Sequence, residues 1–161
     1  MDYNADQNKV PYLLDEFSQL WETPFSPTNI TFPCTIERPP GLSMNAGEQR
    51  MYMANHNLNT DIKLGSIDIL VPSVIELSTV NGLSGFGSLG LASNHCTDTW
   101  GRPPNFLLVD YYNVGNGSVF EVAAAANNVT YKGHCCGSAS GLTLKLSSLV
   151  ITAVAAFLLV I

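Results

Sequence analysis

Asp110 is the side chain in this sequence best placed to do chemistry. It closes an unbroken apolar run, Phe106 to Val109, bounded by Pro103-Pro104 before it and by a Gly/Asn-rich turn after it. Such a run reads as a strand buried on both faces. In a parallel α/β barrel the C-terminal strand ends open on the active site, so an acid there is a catalytic candidate on geometry alone. The competing role is structural, a cap on the turn before the next helix. A carboxylate in that place can orient an imidazole and raise its basicity, and the histidines of the chain are His56, His95 and His134. Only His56 ends an expected strand, Met51 to Asn55. Asn55 and His56 would then face the mouth of a pocket, although a lone histidine among asparagines is more often a hydrogen-bonded structural residue.

Two other patterns invite a chemical reading and lack the context it needs. His95-Cys96 and His134-Cys135-Cys136 put nitrogen and sulfur side by side, but no C-x-x-C pair accompanies them, so no metal is expected. Gly85-Phe-Gly-Ser-Leu-Gly90 matches the dinucleotide-binding spacing G-x-G-x-x-G, with Asp110 twenty residues further on. Asn81-Gly82-Leu83-Ser84 separates those glycines from any strand, and the presumed helix Leu91 to Trp100 is polar. No cofactor is expected either.

The segment Asn105-Phe-Leu-Leu-Val-Asp-Tyr-Tyr-Asn113, with Arg102-Pro103-Pro104 just before it and a helical pattern just after it, resembles the last β/α unit of the phospholipase C-like phosphodiesterases. That superfamily includes the phosphatidylinositol-specific phospholipases C, and the likeness is to its fungal-type branch. It is closest over residues 100–131, extends from Met1 to Thr99, and is absent beyond about Cys136. The resemblance implies an α/β fold, the C-terminal portion of a TIM-type (β/α)8 barrel. The portion is incomplete, since the chain has 161 residues and a whole barrel needs ~250, or ~200 at the least. It implies a phosphoric diester hydrolase acting on phosphatidylinositol or a related phosphodiester, with a pair of histidines as general base and acid. Those histidines lie in the N-terminal half of the family domain, which has no counterpart here. By position Asp110 matches the carboxylate that steadies one of them. Met1-Asp2-Tyr3 resembles the end of a barrel strand, placing Asp2 and Tyr3 with Asn55 and His56 in the substrate pocket. Arg38, Arg50 and Arg102 all fall in loops or before strands, so none is clearly placed for the phosphate. The isolated polypeptide is therefore expected to be inactive, either as part of a phosphodiesterase or as a surface-anchored, non-catalytic binding protein derived from the barrel.

The elements that must hold these residues are read from periodicity. Val10, Leu13, Leu14, Phe17, Leu20 and Trp21 recur at helical intervals and predict an amphipathic helix. Thr23 to Asn45 is a long Pro/Ser/Thr-rich loop, and Met51 to Asn55 the penultimate barrel strand. Ile67 to Val71 and Val74 to Val80 are apolar segments broken by Pro72, the second ambiguous between strand and helix. Ser118 to Asn128 is a helix with Ser118 as its N-cap. Cys34 and Cys96 lie on loops before and after the penultimate strand. Their pairing would close a loop of about sixty residues and stabilise the fold by ~4 kcal/mol on the chain-entropy model, though partners outside this chain are equally open.

Hydrophobic residues make up 46% of the chain and charged ones 12%, enough for a packed core, and the net charge of −6 disfavours nucleic acid and anionic membrane surfaces as electrostatic partners. Asn29, Asn116 and Asn128 begin N-x-S/T triplets, glycosylation acceptors in form. The N-terminus is acidic and polar, unlike a signal peptide. Residues 1–131 form the barrel portion, 132–148 a small-residue linker and spacer, and 149–161 an uncharged apolar tail. With Ser138 as attachment residue the last two fit a glycosylphosphatidylinositol signal. The competing reading is a tail-anchored helix from near Leu142. The expected setting is the cell surface or exterior, with a phospholipid or other phosphodiester as substrate and the membrane as partner through the anchor.

Overall fold

The computed structural model describes Asp6 and residues 8–133. Asp2 and Tyr3 of the expected pocket, the His134-Cys135-Cys136 cluster, Ser138 and the apolar tail lie outside the described residues. The chain divides into two compact units, Met1–Tyr131 and Lys132–Ile161, and the first carries every element below.

In chain order these are α1 (Glu16–Gln19), β1 (Leu20–Glu22), α2 (Met44–Glu48), β2 (Met51–Asn55), β3 (Asn59–Leu64), β4 (Ile67–Pro72), a 3-10 turn (Val74–Glu76) running into α3 (Leu77–Val80), α4 (Leu89–Trp100), β5 (Phe106–Leu108) and α5 (Ser118–Ala126). Three strands form a sheet in the order β1-β2-β5. Both pairings are parallel, with Trp21 opposite Tyr52 and Ala54 opposite Leu107. Parallel neighbours require crossovers. The first contains α2; the second holds the β3–β4 hairpin, α3 and α4. All three strands therefore end on the same side.

Two expectations are corrected here. The helix predicted from Val10 to Trp21 survives only as α1, and Leu20 to Glu22 is a strand buried along its whole length. Tertiary packing overrides the 3.6-residue spacing. Trp21 is fully buried, stacks on Tyr52 at 4.6 Å between ring centroids, meets Trp100 at 4.5 Å, and donates from Nε1 to the Gly47 carbonyl at 3.0 Å. Leu13 and Leu14, which would have shared its helical stripe, are 48% and 67% exposed. The second correction concerns β5, which is not buried on both faces. It is the sheet's edge, and Phe106 and Leu108 remain 43% and 40% exposed.

The main core gathers Trp21, Cys34, Tyr52, Cys96 and Trp100, with Ile36 and Leu42 against it. Cys34 and Cys96 are joined by a disulfide inside this cluster, and Trp100 Nε1 donates to the Cys34 carbonyl at 3.0 Å. The Tyr52 hydroxyl donates to the Arg102 carbonyl at 2.8 Å, and burial pushes its pKa up to about 12 against the pull of the Arg102 charge. A second cluster, Leu89, Val119 and Val122 with Leu107 and Val109, ties α4 and α5 to β5.

The helix α4 presents Leu89, Gly90, Ser93, Cys96 and Trp100 to the interior, a face of small residues and one large ring. Its N-cap Ser88 accepts from Leu91 N at 3.2 Å. Two glycines of the G-x-G-x-x-G spacing, Gly87 and Gly90, serve this packing. Gly87 has φ +78 and lies against Ile30, and a Cβ on Gly90 would collide with the Leu83 carbonyl. In α5 the cap sits one residue earlier than predicted. Gly117, at φ +90, is the N-cap, and the Ser118 hydroxyl instead donates to the Asn81 carbonyl at 2.5 Å.

Candidate functional site

At the common C-terminal end of the strands, β1 delivers Glu22 and Thr23, β2 delivers Asn55 and His56, and Val109-Asp110 follow β5. Glu22 has only 5% of its side chain exposed, so its charge needs a partner. Arg38 supplies one, Nη2 to Oε2 at 2.5 Å. The backbone sets that meeting, because Glu22 and Arg38 form an antiparallel bridge along the outer side of β1, with Glu22 N donating to the Arg38 carbonyl at 2.8 Å. The guanidinium also lies over the rings of Phe25, at 4.1 Å, and Phe17, at 5.4 Å, contacts that favour a planar cation.

Asn55 completes the cluster. Its Nδ2 donates to Glu22 Oε2 at 3.1 Å and to the Thr23 carbonyl at 2.9 Å, and its backbone N–H donates to Thr23 Oγ1 at 2.8 Å. Its Oδ1 and Arg38 Nε are buried and unpartnered. Sequence reasoning missed Glu22, Thr23 and Arg38. Glu22 directly follows a false helical stripe that ends at Trp21, and Arg38 carries no local signal because its place is set by pairing with a strand sixteen residues earlier.

His56 does not stand at a pocket mouth. It is 1% exposed, its ring centroid is 3.7 Å from that of Phe32, and Nε2–H donates to the Val80 carbonyl at 2.9 Å. Burial lowers its pKa to about 4, against hydrogen bonds to the Val80 and Gly87 backbones. A neutral imidazole held in this way pins the α3 end to the sheet. Asn55 is likewise buried, 3% exposed, rather than open to solvent.

Asp110 is half-buried, and no hydrogen bond or ion pair engages its carboxylate among the described residues. Its backbone is fixed by Asn81, which is fully buried and donates from Nδ2 to the carbonyls of Asp110 at 3.0 Å, Tyr111 at 3.1 Å and Val114 at 3.4 Å. Asp110 thus lies beyond the C-terminal end of a parallel strand on a clamped turn, and His56 is not the imidazole it steadies. Asn81 was missed as well, since an Asn-Gly pair reads as an ordinary turn.

Arg50 and Arg102 lie at the opposite end of the sheet, where Arg50 Nη1 donates to the Phe17 carbonyl at 2.5 Å and Arg102 Nη1 to Asn105 Oδ1 at 2.8 Å. Of the arginines, only Arg38 reaches the strand ends. A cavity of about 470 Å³ lies between α4 and α5, lined among others by Ser93, Asn94, Thr97 and Glu121. Another of about 230 Å³ is lined by Phe32, Phe86, Leu91 and His95. Neither contains Asp110 or Asn55. Among the described residues no three His, Cys, Asp or Glu side chains gather as a metal site. Asn29, Asn116 and Asn128 are all exposed, and Asn29 Oδ1 accepts from Thr31 N at 2.9 Å.

A protein-family model described as PI-PLC X 1 matches residues 1–127. Among curated proteins the chain is similar to an "Uncharacterized secreted protein" of Arthroderma benhamiae, 59% identical over 144 residues, which is 88% of this chain and 33% of that one. It is also similar to the "PI-PLC X domain-containing protein 1" of the same organism, 38% identical over 117 residues, covering 72% of this chain and 36% of the relative. The chain spans about a third of the length of the curated relatives it matches. No solved structure matches.

Proposed function

This chain belongs to the PI-PLC X family, and from that premise we propose that it is the C-terminal side of an extracellular phosphoric diester hydrolase acting on phosphatidylinositol or a related phosphodiester. The observation that carries the reading is the parallel β1-β2-β5 sheet with Asp110 beyond its C-terminal end, its backbone clamped and its carboxylate uncommitted. We read the sheet as an arc of a (β/α)8 barrel, whose strand ends would open on the substrate. The relative named a secreted protein and the Cys34–Cys96 disulfide both support an extracellular setting. Anchoring through Ser138 belongs to this reading as well.

In such a reaction a substrate hydroxyl forms a new bond to phosphorus, losing its proton to a base, while the leaving alkoxide departs and takes a proton from an acid. This chain contributes the carboxylate. Asp110 would accept from an imidazole N–H, fix its tautomer and stabilise its protonated form. His56 cannot be that imidazole or the second one, because its Nε2 is committed to Val80 and burial keeps it neutral. For the chain alone that commitment favours the second reading, a non-catalytic surface binding protein.

Purified 1–161 is expected to show no hydrolysis of phosphatidylinositol or glycerophosphoinositol, and measurable turnover would refute the need for histidines outside it. In a longer, active chain that includes these residues, Asp110→Asn should lower kcat by about 10²–10⁴-fold with KM little changed. An unaltered kcat would remove Asp110 from the chemistry.

A further inference from the structure

Asn29-Ile30-Thr31, Asn116-Gly117-Ser118 and Asn128-Val129-Thr130 share one form in the sequence and stand in three different settings in the fold. When a glycan is added to such a triplet, Nδ2 of the asparagine bonds to C1 of a sugar. The C1–O bond to a polyprenyl diphosphate carrier breaks with its electron pair leaving on the diphosphate, and one amide proton passes to a base of the transferase. The hydroxyl two residues on must be free to meet the same enzyme. All three asparagines are exposed, so they do not separate the triplets. The hydroxyls do.

Thr31 is exposed, and its hydroxyl takes part in no hydrogen bond among the described residues. The loop around it is fixed from inside. The Pro27 carbonyl accepts from Asn59 N at 2.8 Å, Ile30 lies so close to Gly87 that a Cβ there would come within 2.2 Å of it, and Phe32 is buried against the His56 ring. Ile30 and Phe32 therefore face inward, and Asn29 and Thr31 face out together. Asn29 Oδ1 accepts from Thr31 N at 2.9 Å, an Asx turn that holds the amide beside the hydroxyl. Asn128 closes α5 in the left-handed conformation, φ +55, with its N–H on the Ala125 carbonyl at 3.1 Å and Val129 N–H on that of Ala124 at 3.0 Å. Its side chain is not needed for that closure. Val129 and Thr130 beyond it are exposed, and the Thr130 hydroxyl is likewise uncommitted among the described residues.

The third triplet is consumed by the turn after β5. Asn116 and Gly117 supply its left-handed steps, φ +53 and +90. Ser118 is 5% exposed, and its hydroxyl donates to the Asn81 carbonyl at 2.5 Å. That carbonyl precedes Ser118 by 37 residues, so it is already present when the triplet reaches a transferase working on a chain that is still folding. We propose that Asn29 and Asn128 carry N-linked glycans and that Asn116 stays bare. The proposal shares with the reading above only its extracellular setting, since the transferase works in the secretory compartment.

The test sends chain 1–161 through the secretory pathway of a yeast with a supplied leader, so that the sites are tested whatever the chain's native address. Peptide N-glycanase should raise the gel mobility by two steps and convert Asn29 and Asn128, but not Asn116, to aspartate in peptide mass spectra. Asn29→Gln and Asn128→Gln should each remove one step, and Asn116→Gln none. Thr31→Ala and Thr130→Ala should repeat the two losses. Both alter exposed side chains without hydrogen bonds, which keeps the result independent of folding. A glycan on Asn116, or a bare Asn29 or Asn128, would overturn the proposal. The readout involves no phosphodiester, so failure here leaves the hydrolysis reading standing, and absent turnover leaves the glycan sites standing.

Discussion

At the scale of single residues, two buried polar groups set the pH and mutational behaviour of the strand ends. His56 has a folded pKa of about 4 against an ordinary 6.5. Between those values the unfolded chain binds more protons than the folded one, so stability falls as pH drops below 6.5 and the loss is complete just below 4. The shift corresponds to a loss on the order of 3 kcal/mol. Urea unfolding at pH 7.5, 5.5 and 4.5 should show it, and His56→Gln should flatten that part of the profile. Glu22 and Arg38 make the second case. Arg38→Met leaves a buried carboxylate with only Asn55 Nδ2 as side-chain donor, whereas Arg38→Met with Glu22→Leu removes both charges. Breaking one side of a buried pair costs about 3–5 kcal/mol. The 37% exposure of the Arg38 side chain brings the single-mutant expectation down to about 2 kcal/mol. The double variant should recover most of that loss in equilibrium denaturation.

At the scale of elements, the strand β2 and the helices α4 and α5 are legible in the sequence, because local patterns and breakers agree with their tertiary surroundings. The segment before β2 is not. The apolar stripe from Val10 to Trp21 is a valid helical pattern, and what overrides it is Trp21 stacked on Tyr52 thirty-one residues later, a contact no local window contains. The site divides along the same line. Asp110 could be found because it ends an apolar run, while Glu22, Arg38 and Asn81 act through partners sixteen to thirty-three residues away. The glycines before α4 were legible as a motif and misleading as a function, since the same spacing also suits a tight turn and close helix packing. Gly90→Ala tests that role: it drives a Cβ into the Leu83 backbone and should cost about 2–3 kcal/mol. Gly85→Ala, at φ +100 with open space around it, should cost about 1 kcal/mol through backbone strain alone. Equal losses would mean that the helix approach is not what selects glycine there.

For the molecule as a whole, the Cys34–Cys96 bond fastens the loop before β2 to the helix after it across 62 residues. On the chain-entropy model a closure of that length stabilises the fold by ~4 kcal/mol, so Cys34→Ala with Cys96→Ala should lower the thermal midpoint by more than ten degrees. The two sulfur-bearing residues are only 3% and 2% exposed beneath Trp21, Tyr52 and Trp100. A small reductant therefore cannot reach the bond while the aromatic lid is shut. Reduction by dithiothreitol should proceed at the rate at which the tryptophan cluster opens, independent of thiol concentration once that is high. The same enclosure fixes an order of events at the chain's birth: an oxidant must find both thiols before the rings close over them, so the bond is a record of the compartment in which the chain first collapsed.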